Sequence, residues 1–246
     1  MKDTLYQNGD EIVDFTFDEK VVEVFPDMIK RSVPGYPTII KMIGMLAARY
    51  VQAGTRCYDL GCSLGASSFA MRHHIEHSDV AIVAVDNSPA MVEQCKAAVL
   101  EDDAEVPVAV LLGDVAETAI ENASMVVLNF TLQFLPPEQR AAVIQRIYDG
   151  LVPGGILVLS EKLRFEDPHL DELYIDLHHG FKKAQGYSDM EIAGKRSALD
   201  KVLIPESLST HRQRMKQAGF GSVDVWFQCL NFASIVAVKS AESARG

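Results

Sequence analysis

The sequence lacks an apolar run long enough to cross a membrane. Its longest apolar stretches, such as MVVLNFTLQFL from Met125, fall far short of the roughly 20 residues that span a bilayer. The N-terminal residues include Asp10, Glu11 and Asp14, and they lack the basic start and the apolar run of a secretory signal. We therefore expect a cytoplasmic protein that has no membrane segment.

Cysteine pairs and positive charge are also scarce. No C-x-x-C pair occurs, which argues against a zinc knuckle or a disulfide framework and predicts reduced thiols. The four cysteines are Cys57, Cys62, Cys95 and Cys229. The chain carries 23 Lys and Arg against 34 Asp and Glu, a formal net charge of −11, and has no long basic run. Because such a surface repels a phosphate backbone, we expect no direct binding of nucleic acid.

Short apolar runs alternate with helical patterns from Thr55 onward. The runs are RCYDL, AIVAVD, VAVLLGD, MVVLNF, ILVLSEK, VDVWFQ and ASIVAVK. Runs that are apolar on both faces predict strands covered by helices on each side of a parallel sheet. The last two runs are joined by only a short link, which predicts an antiparallel hairpin at the sheet edge. The expected fold is α/β, with a doubly wound, mainly parallel, seven-stranded Rossmann-like sheet.

Two segments fall outside this sheet and predict helical additions. The first contains helical patterns on both sides of the turn Pro34-Gly35-Tyr36-Pro37. The second contains regularly spaced leucines and then Ser188 with Glu191 three residues later, the pattern of a capping box. The predicted division is an N-terminal helical cap at 1–54, a Rossmann-like core at 55–162, a helical lid insertion at 163–205, a C-terminal helix and hairpin at 206–240, and a tail at 241–246.

A glycine-rich turn follows the first predicted strand, in YDLGCSLG at residues 58–65. Glycines let the backbone approach a ligand and leave amides free to donate to it, although a tight turn without a ligand is the alternative. Asp86 ends the second strand, where this architecture binds the hydroxyls of a ribose. Asp114 and Asn129 end the next two strands, although a carboxylate there is often only a helix cap. Together they favour a nucleoside site beyond the strand ends.

Histidines offer a competing interpretation as a metal site. His73 and His77 share a helical spacing, and His178 and His179 follow in the predicted lid. A metal needs converging ligands, and neither an H-E-x-x-H pattern nor a carboxylate partner accompanies His73 and His77. We therefore expect an exposed helix face and no metal.

The ordered motifs DLGCSLG, AVDNS, LLGDV and LVPGGILVLSEK resemble those of class I S-adenosylmethionine-dependent methyltransferases, over roughly residues 55–160. This chain departs from them at Ser63, where that superfamily commonly has a second glycine. The fourth-strand sequence NFTLQFL also lacks the DPPY-like motif of amino-directed methyltransferases. Methylation of a nucleic acid base therefore loses support.

A closer resemblance covers nearly the whole chain. FDEKVVEVFPDMIKRSVPGY, YDLGCSLGA, NSPAM, ASMVVLNFTLQFL and EIAGKRS are together similar to the carboxy-S-adenosyl-L-methionine synthase family. The resemblance implies that S-adenosyl-L-methionine and the small-molecule substrate prephenate become carboxy-S-adenosyl-L-methionine, phenylpyruvate and water. It also implies a homodimer whose product serves a separate enzyme that modifies a wobble uridine of tRNA. An ordinary small-molecule methyltransferase and a catalytically silent cofactor-binding regulator are the alternatives.

Carried over residue by residue, the resemblance implies a set of ligand contacts in which each expected residue type is present. They are Tyr36, Gly61, Cys62, Ser63, Asp86, Asn87, Asp114, Val115, Asn129 and Arg196. Asp114 and Val115 are expected at the adenine, and Asp86 at the ribose. Arg196 is the candidate catalytic residue because its planar donor group suits the added carboxylate. The alternative is that Arg196 is a solvated helix arginine beside Lys195.

Overall fold

A seven-stranded sheet forms the centre of the molecule, in a computed structural model that describes residues 1–3, 5, 17–200 and 202–241. The strands are β1 (Arg56–Leu60), β2 (Ala81–Asp86), β3 (Val108–Leu112), β4 (Ala123–Asn129), β5 (Leu151–Lys162), β6 (Ser222–Cys229) and β7 (Phe232–Val238). Their order is β3-β2-β1-β4-β5-β7-β6. Neighbours among β1 to β5 are parallel, while β7 is antiparallel to both β5 and β6. The predicted doubly wound sheet and its edge hairpin are confirmed.

Eight α-helices and one short 3-10 helix surround this sheet in the described part of the chain. They are α1 (Glu19–Ser32), α2 (Tyr36–Tyr50), α3 (Ala66–Arg72), α4 (Pro89–Glu101), the 3-10 helix Leu132–Phe134, α5 (Pro137–Gly150), α6 (Pro168–Ala184), α7 (Asp189–Leu199) and α8 (Leu208–Ala218). The predicted capping box is present, because Ser188 and Glu191 each accept a hydrogen bond from the other's backbone N–H. No helix among the described residues is both long and apolar enough to cross a membrane.

The core lies on both faces of the sheet, because successive strand side chains point in opposite directions. On β4, Val126 and Leu128 face one hydrophobic cluster, which includes Ile144 of α5. Met125 and Val127 face the other cluster, which includes Ile43 of α2. The second helix of the predicted cap therefore packs directly on the sheet. This packing positions the segment before α2 over the carboxyl ends of the strands.

Helices α6 and α7 are tied to the N-terminal segment by a buried polar network. The Tyr187 hydroxyl donates to Asp3 Oδ2 at 2.5 Å, and Lys195 Nζ forms an ion pair with the same carboxylate. Arg31 of α1 donates to the carbonyl of Gln185 at 2.8 Å and lies over the Tyr187 ring at 3.8 Å. The predicted cap and lid therefore contact each other, although their exact limits stay predictions.

One face of α6 differs from a helix that packs on a core. The regularly spaced side chains of Leu170, Leu173 and Leu177 are 40%, 42% and 46% exposed. Helical periodicity fixes which residues share a face, but it does not reveal what covers that face. Of the predicted tail at 241–246, only residue 241 lies within the described residues.

Candidate functional site

A cavity of about 480 Å³ opens at the carboxyl ends of β1, β2 and β4. Chain connectivity reverses direction between β1 and β4, and open α/β sheets bind their ligands at such a switch point. The volume falls within the roughly 300–1,000 Å³ typical of sites for small ligands. Helices α1, α6 and α7 complete the wall opposite the sheet. The cavity therefore lies where the strand-end residues were expected to converge.

Nine of the ten expected contact residues line this cavity. They are Tyr36, Gly61, Cys62, Ser63, Asp86, Asn87, Asp114, Val115 and Asn129. They come from the turn after β1, from the ends of β2 and β4, from the segment after β3, and from the start of α2. The structure therefore brings together residues up to 93 positions apart in the sequence, from Tyr36 to Asn129. The tenth residue, Arg196, does not line the cavity in the single chain.

The turn after β1 brings its backbone against the β4 loop. Gly61 has a φ of 77°, and a Cβ there would meet Thr131 Oγ1 at 2.3 Å. Its N–H donates to the Val85 carbonyl at 2.8 Å. Ser63, at the position where a second glycine is common, adopts the left-handed φ of 50° itself. The serine therefore retains a backbone conformation that glycine normally provides.

Asp86 is almost fully buried and holds two backbone segments. Its Oδ2 accepts the N–H of Ser63 at 2.8 Å, and its Oδ1 accepts the N–H of Ser88 at 2.9 Å. Burial raises the pKa of this carboxyl, while these N–H groups oppose the rise. Each carboxylate oxygen has a second lone pair, so the side chain can still accept hydroxyl groups from a ligand.

Asn129 has a buried polar atom that the protein does not satisfy. Its Nδ2 donates to Ser67 Oγ at 3.4 Å, while its Oδ1 is buried and has no hydrogen-bond partner among the described residues. Buried acceptors normally have a partner, and an orphaned one in a cavity suggests a missing ligand donor. The amino group of a methionyl moiety is a donor of the required kind.

The position of Asp114 is compatible with both of its predicted roles. Its Oδ1 accepts the Ala116 N–H at 2.7 Å, which is the local turn contact expected of a strand-end carboxylate. It also lines the cavity together with Val115. The structural alternative and the proposed ligand contact are therefore compatible for this residue.

Aromatic rings form one wall of the cavity. The rings of Tyr36 and Phe130 have centroids 6.4 Å apart, and Phe130 meets Phe232 edge-on at 6.0 Å. Burial raises the pKa of the Tyr36 hydroxyl, which therefore stays protonated at neutral pH. Phe130 has the left-handed φ of 63°, which is uncommon for an aromatic residue. Aromatic faces attract cations, so this wall suits a positively charged sulfur.

His178 of α6 joins that wall as a neutral side chain. Its ring meets Phe232 edge-on at 4.8 Å, and its Nε2 lies 2.8 Å from the Ser32 carbonyl. Burial, followed by the charge of Lys182, lowers the pKa of His178 to about 3. The imidazole is thus uncharged at neutral pH, and Nε2 is the nitrogen that donates to the carbonyl.

Arg196 lies on the exposed side of α7. Its side chain is 57% exposed, and its Nε lies 3.7 Å from Asp200 Oδ2, one helical turn away. Burial lowers the pKa of Lys162 and of Lys182, both of which line the cavity, and the charge of Arg196 adds a smaller contribution to each shift. Arg196 is therefore close to the cavity without entering it. Its role as a carboxylate anchor stays a prediction.

The histidines are arranged differently from the sequence-based argument. His73 Nε2 lies 2.7 Å from Asp102 Oδ1, and Asp103 completes a group whose candidate ligand atoms all lie within 4.8 Å of one another. The absence of a carboxylate partner, assumed from local sequence, was wrong, because α4 ends beside α3. His77 is not a member of this group, and none of its members lines the cavity.

A buried charge network that sequence reasoning missed supports the loop after β4. Arg140 is fully buried and donates to the carbonyls of Gln133 at 3.1 Å and Leu135 at 3.0 Å. It also donates to Glu206 Oε2 at 2.6 Å. Because Gln133 and Leu135 line the cavity, Arg140 acts on the site through the backbone. Its position on an amphipathic helix gave no signal of this role.

The comparisons with known proteins begin with a model described as a methyltransferase domain, which matches residues 58–155. The chain is 59% identical over 230 residues to a carboxy-S-adenosyl-L-methionine synthase from Trichlorobacter lovleyi, and the match covers 93% of this chain and 94% of that protein. It is 57% identical over 231 residues to the protein of the same name from Klebsiella pneumoniae, covering 94% of each.

Solved structures share the fold at much lower identity. Human N-acetylserotonin methyltransferase in complex with S-adenosylmethionine gives a TM-score of 0.59 at 18% identity, covering 90% of this chain and 55% of that one. A cyclopropane synthase from Mycobacterium tuberculosis gives a TM-score of 0.57 at 17% identity, covering 76% and 62%. These likenesses support the class I methyltransferase fold.

Proposed function

The chain belongs to the carboxy-S-adenosyl-L-methionine synthase family of S-adenosylmethionine-dependent transferases, and we propose that it converts S-adenosyl-L-methionine and prephenate to carboxy-S-adenosyl-L-methionine, phenylpyruvate and water. The observation that carries the proposal is a single cavity that combines a nucleoside-binding strand edge with basic side chains from the lid. The product would serve a separate enzyme that modifies a wobble uridine of tRNA.

The cavity residues fit S-adenosyl-L-methionine. Asp86 would accept the ribose hydroxyls, and Asp114 with Val115 would contact the adenine. The orphaned Oδ1 of Asn129 would accept from the methionyl amino group, and the aromatic wall would face the sulfonium. None of these contact residues belongs to the candidate metal-binding group of His73, Asp102 and Asp103. The proposed chemistry needs no metal.

The proposed reaction is balanced without an added base or oxidant. Prephenate loses its ring carboxylate as carbon dioxide and its ring hydroxyl as hydroxide, which leaves the aromatic ring of phenylpyruvate. The hydroxide takes a proton from the methyl carbon next to sulfur and becomes water. That carbon then forms the new bond to carbon dioxide. The chain's own contribution is to hold the reactants together and exclude bulk water.

We also propose that the protein is a homodimer in which Arg196 contacts the added carboxylate. The exposed leucines of α6 (Leu170, Leu173 and Leu177) lie on the helix that precedes α7, and an apolar stripe of this kind is suited to burial against a second subunit. A second subunit at this face would also reduce the exposure of the nearby arginine. Arg196 would then act in its own or in the neighbouring subunit's cavity.

Mass analysis distinguishes this proposal from an ordinary methyltransferase and from a silent regulator. Purified protein is incubated with S-adenosyl-L-methionine and prephenate, and the nucleosides are identified by mass spectrometry. The synthase produces a carboxylated nucleoside together with phenylpyruvate. A methyl transfer instead produces S-adenosylhomocysteine and a methylated acceptor, and a regulator leaves both reactants unchanged.

Replacing Asp86 with alanine is expected to weaken binding of S-adenosyl-L-methionine about ten- to a hundredfold. Loss of a hydrogen bond to a charged group costs roughly 1.5–3 kcal/mol, which corresponds to that range. Isothermal titration calorimetry measures the affinity directly. Because Asp86 also holds the N–H groups of Ser63 and Ser88, thermal unfolding must confirm that the variant is folded at the titration temperature.

Asp149→Ala provides the matched control for this prediction. Asp149 is an exposed carboxylate on α5 and does not line the cavity. Its variant should bind S-adenosyl-L-methionine as the unchanged protein does. Unchanged affinity in folded Asp86→Ala would show that the ribose assignment is wrong.

The protein is expected not to bind tRNA tightly on its own. The protein has a formal net charge of −11, so the release of counterions from a polynucleotide contributes little to the free energy of binding. Filter binding at low and moderate salt should detect no tight, salt-sensitive complex, and turnover of the small molecules should not require tRNA. A requirement for tRNA in the synthase assay would contradict the small-molecule reaction.

A further inference from the structure

Two lysines line the cavity without a pairing carboxylate. Lys162 is the last residue of β5, and Lys182 lies near the end of α6 with only 8% of its surface exposed. Neither ammonium group makes a hydrogen bond or an ion pair within the described ranges. A buried ammonium group is costly unless it is paired, so buried Lys182 and half-buried Lys162, both unpaired in one cavity, point to an anionic ligand.

The third lysine of the cavity shows the contrast. Lys195 forms an ion pair with Asp3 and donates to the Tyr187 hydroxyl at 2.6 Å. Its charge is therefore already balanced by the protein. Burial lowers the pKa of Lys182 to about 8, and the charges of Lys162, Lys195 and Arg196 contribute to the same shift. The unpaired positive charge of the cavity is thus concentrated at Lys162 and Lys182.

The two lysines belong to other elements than the expected nucleoside contacts. Lys162 and Lys182 come from β5 and α6, whereas the expected S-adenosyl-L-methionine contacts come from the ends of β1, β2 and β4 and from α2. The carboxylates of Asp200 and Asp171 attract the Lys162 ammonium group electrostatically, but neither forms an ion pair with it. Phe232 of the aromatic wall is the cross-strand partner of Lys162, and it meets His178, one turn before Lys182 on α6, edge-on at 4.8 Å. The cavity therefore has an anion-binding part directly beside an apolar part.

We propose that Lys162 and Lys182 hold the carboxylate that the second substrate keeps through the reaction, the 2-oxo acid end of prephenate. This inference rests on the proposed function and deepens it. Two ammonium groups supply six N–H donors, enough for a carboxylate and the adjacent keto oxygen. The ring carboxylate that is lost would lie against the apolar wall.

The assignment of the two carboxylates follows from how their charges change. The ring carboxylate becomes neutral carbon dioxide, so a cation that binds it would stabilise the reactant more than the transition state and slow the reaction. The 2-oxo acid carboxylate keeps its charge in the product. A cation that binds it contributes affinity without opposing the chemical step. The lysines are therefore specificity-determining residues, and they should contact substrate and product equally.

The test uses Lys162→Met and Lys182→Met, each assayed with prephenate at saturating S-adenosyl-L-methionine. Methionine has a similar volume and no charge, so it removes the cost of keeping an unpaired ammonium group out of water. We expect the KM for prephenate to rise about ten- to a hundredfold. The inhibition constant of phenylpyruvate should rise by the same factor. The affinity for S-adenosyl-L-methionine, measured by calorimetry, should change less than about twofold. A substitution at one site is expected to leave the binding free energy of an independent site unchanged within about that limit.

Lys183→Met is the matched control. Lys183 is the next residue of α6, but its side chain is 52% exposed and pairs with Asp189 outside the cavity. Its variant should keep the KM of the unchanged protein. Lys182→Arg retains the charge and should recover part of the affinity lost in Lys182→Met, which a purely structural role would not produce.

Several outcomes would overturn the inference while leaving the proposed function intact. An unchanged KM in both methionine variants would remove the anion site. An equal loss of S-adenosyl-L-methionine affinity would assign the lysines to the methionyl carboxylate. A higher KM for prephenate with an unchanged phenylpyruvate constant would assign them to the carboxylate that is lost. Failure of the unchanged protein to form phenylpyruvate would instead reject the proposed function itself.

Discussion

Arg196→Ala is expected to weaken binding of carboxy-S-adenosyl-L-methionine by about 2 to 5 kcal/mol, the cost of truncating one partner of a buried charge pair. Binding of S-adenosyl-L-methionine should lose well under that amount, because only the carboxylated molecule presents the extra anion. Arg196→Lys should also weaken the carboxylated ligand, since lysine keeps the charge but not the two-pronged geometry. Calorimetric titration of both ligands measures the difference.

The size of this effect tests the proposed dimer as well. In the single chain the Arg196 side chain is 57% exposed, and an exposed ion pair is worth only about 0–1 kcal/mol. A loss above 2 kcal/mol would therefore require a second subunit or a lid movement to bury the contact. Arg49→Ala, which removes an exposed arginine of α2 outside the cavity, is the matched control and should change neither affinity.

A mixing experiment then distinguishes the two possible locations of Arg196. Arg196→Ala and Asp86→Ala chains, each with reduced synthase activity at low S-adenosyl-L-methionine concentration, are combined under conditions that exchange subunits. If Arg196 acts in the neighbour's cavity, mixed dimers contain one intact site and recover part of the synthase activity. If Arg196 acts in its own cavity, one cavity of each mixed dimer lacks Arg196 and the other lacks Asp86. No intact site then forms, and no activity is recovered. Equal losses of affinity for the two ligands in Arg196→Ala would reject the contact between Arg196 and the added carboxylate.

The sheet and the strand-end residues were predictable because their causes are local. Val126 and Leu128 face one core cluster while Met125 and Val127 face the other, so β4 carries an apolar run on both faces and is recognisable as a buried strand. The end of such an apolar run then identifies the polar residue at the strand end. Parallel strands bring those ends to one edge of the sheet, which is why Asp86 and Asn129 meet at one cavity.

The lid side of the cavity was not predictable, since its residues act through distant contacts. Lysine is usually solvated, so nothing in the sequence distinguished buried Lys182 from its exposed neighbour Lys183. The partner of Lys195 is Asp3, 192 positions away. Conversely, the spacing of the α6 leucines predicted a helix but did not show that these leucines are partly exposed. Periodicity identifies a helix face but not its partner.

The buried network around Arg140 is expected to have the largest effect on stability. Arg140→Met removes the donors of two backbone carbonyls, those of Gln133 and Leu135, and one of the two arginines that pair with Glu206. Burial raises the pKa of Glu161, and Arg140→Met also removes the positive charge that opposes this rise. Breaking a buried charge pair from one side costs about 3–5 kcal/mol. For a chain of this size the melting temperature should fall by roughly 6–20 °C.

Thermal unfolding followed by circular dichroism measures this change, and Arg212→Ala on α8 is the matched control. Arg212 pairs with Asp224 at 2.5 Å, but the two side chains are 40% and 77% exposed, so its loss should cost under about 1 kcal/mol. Because Gln133 and Leu135 line the cavity, Arg140→Met should also weaken S-adenosyl-L-methionine binding at temperatures where the variant is still folded. A melting temperature within about 2 °C of the control, less than 1 kcal/mol, would mean that Glu206 and the two carbonyls find other partners and that Arg140 does not support the loop.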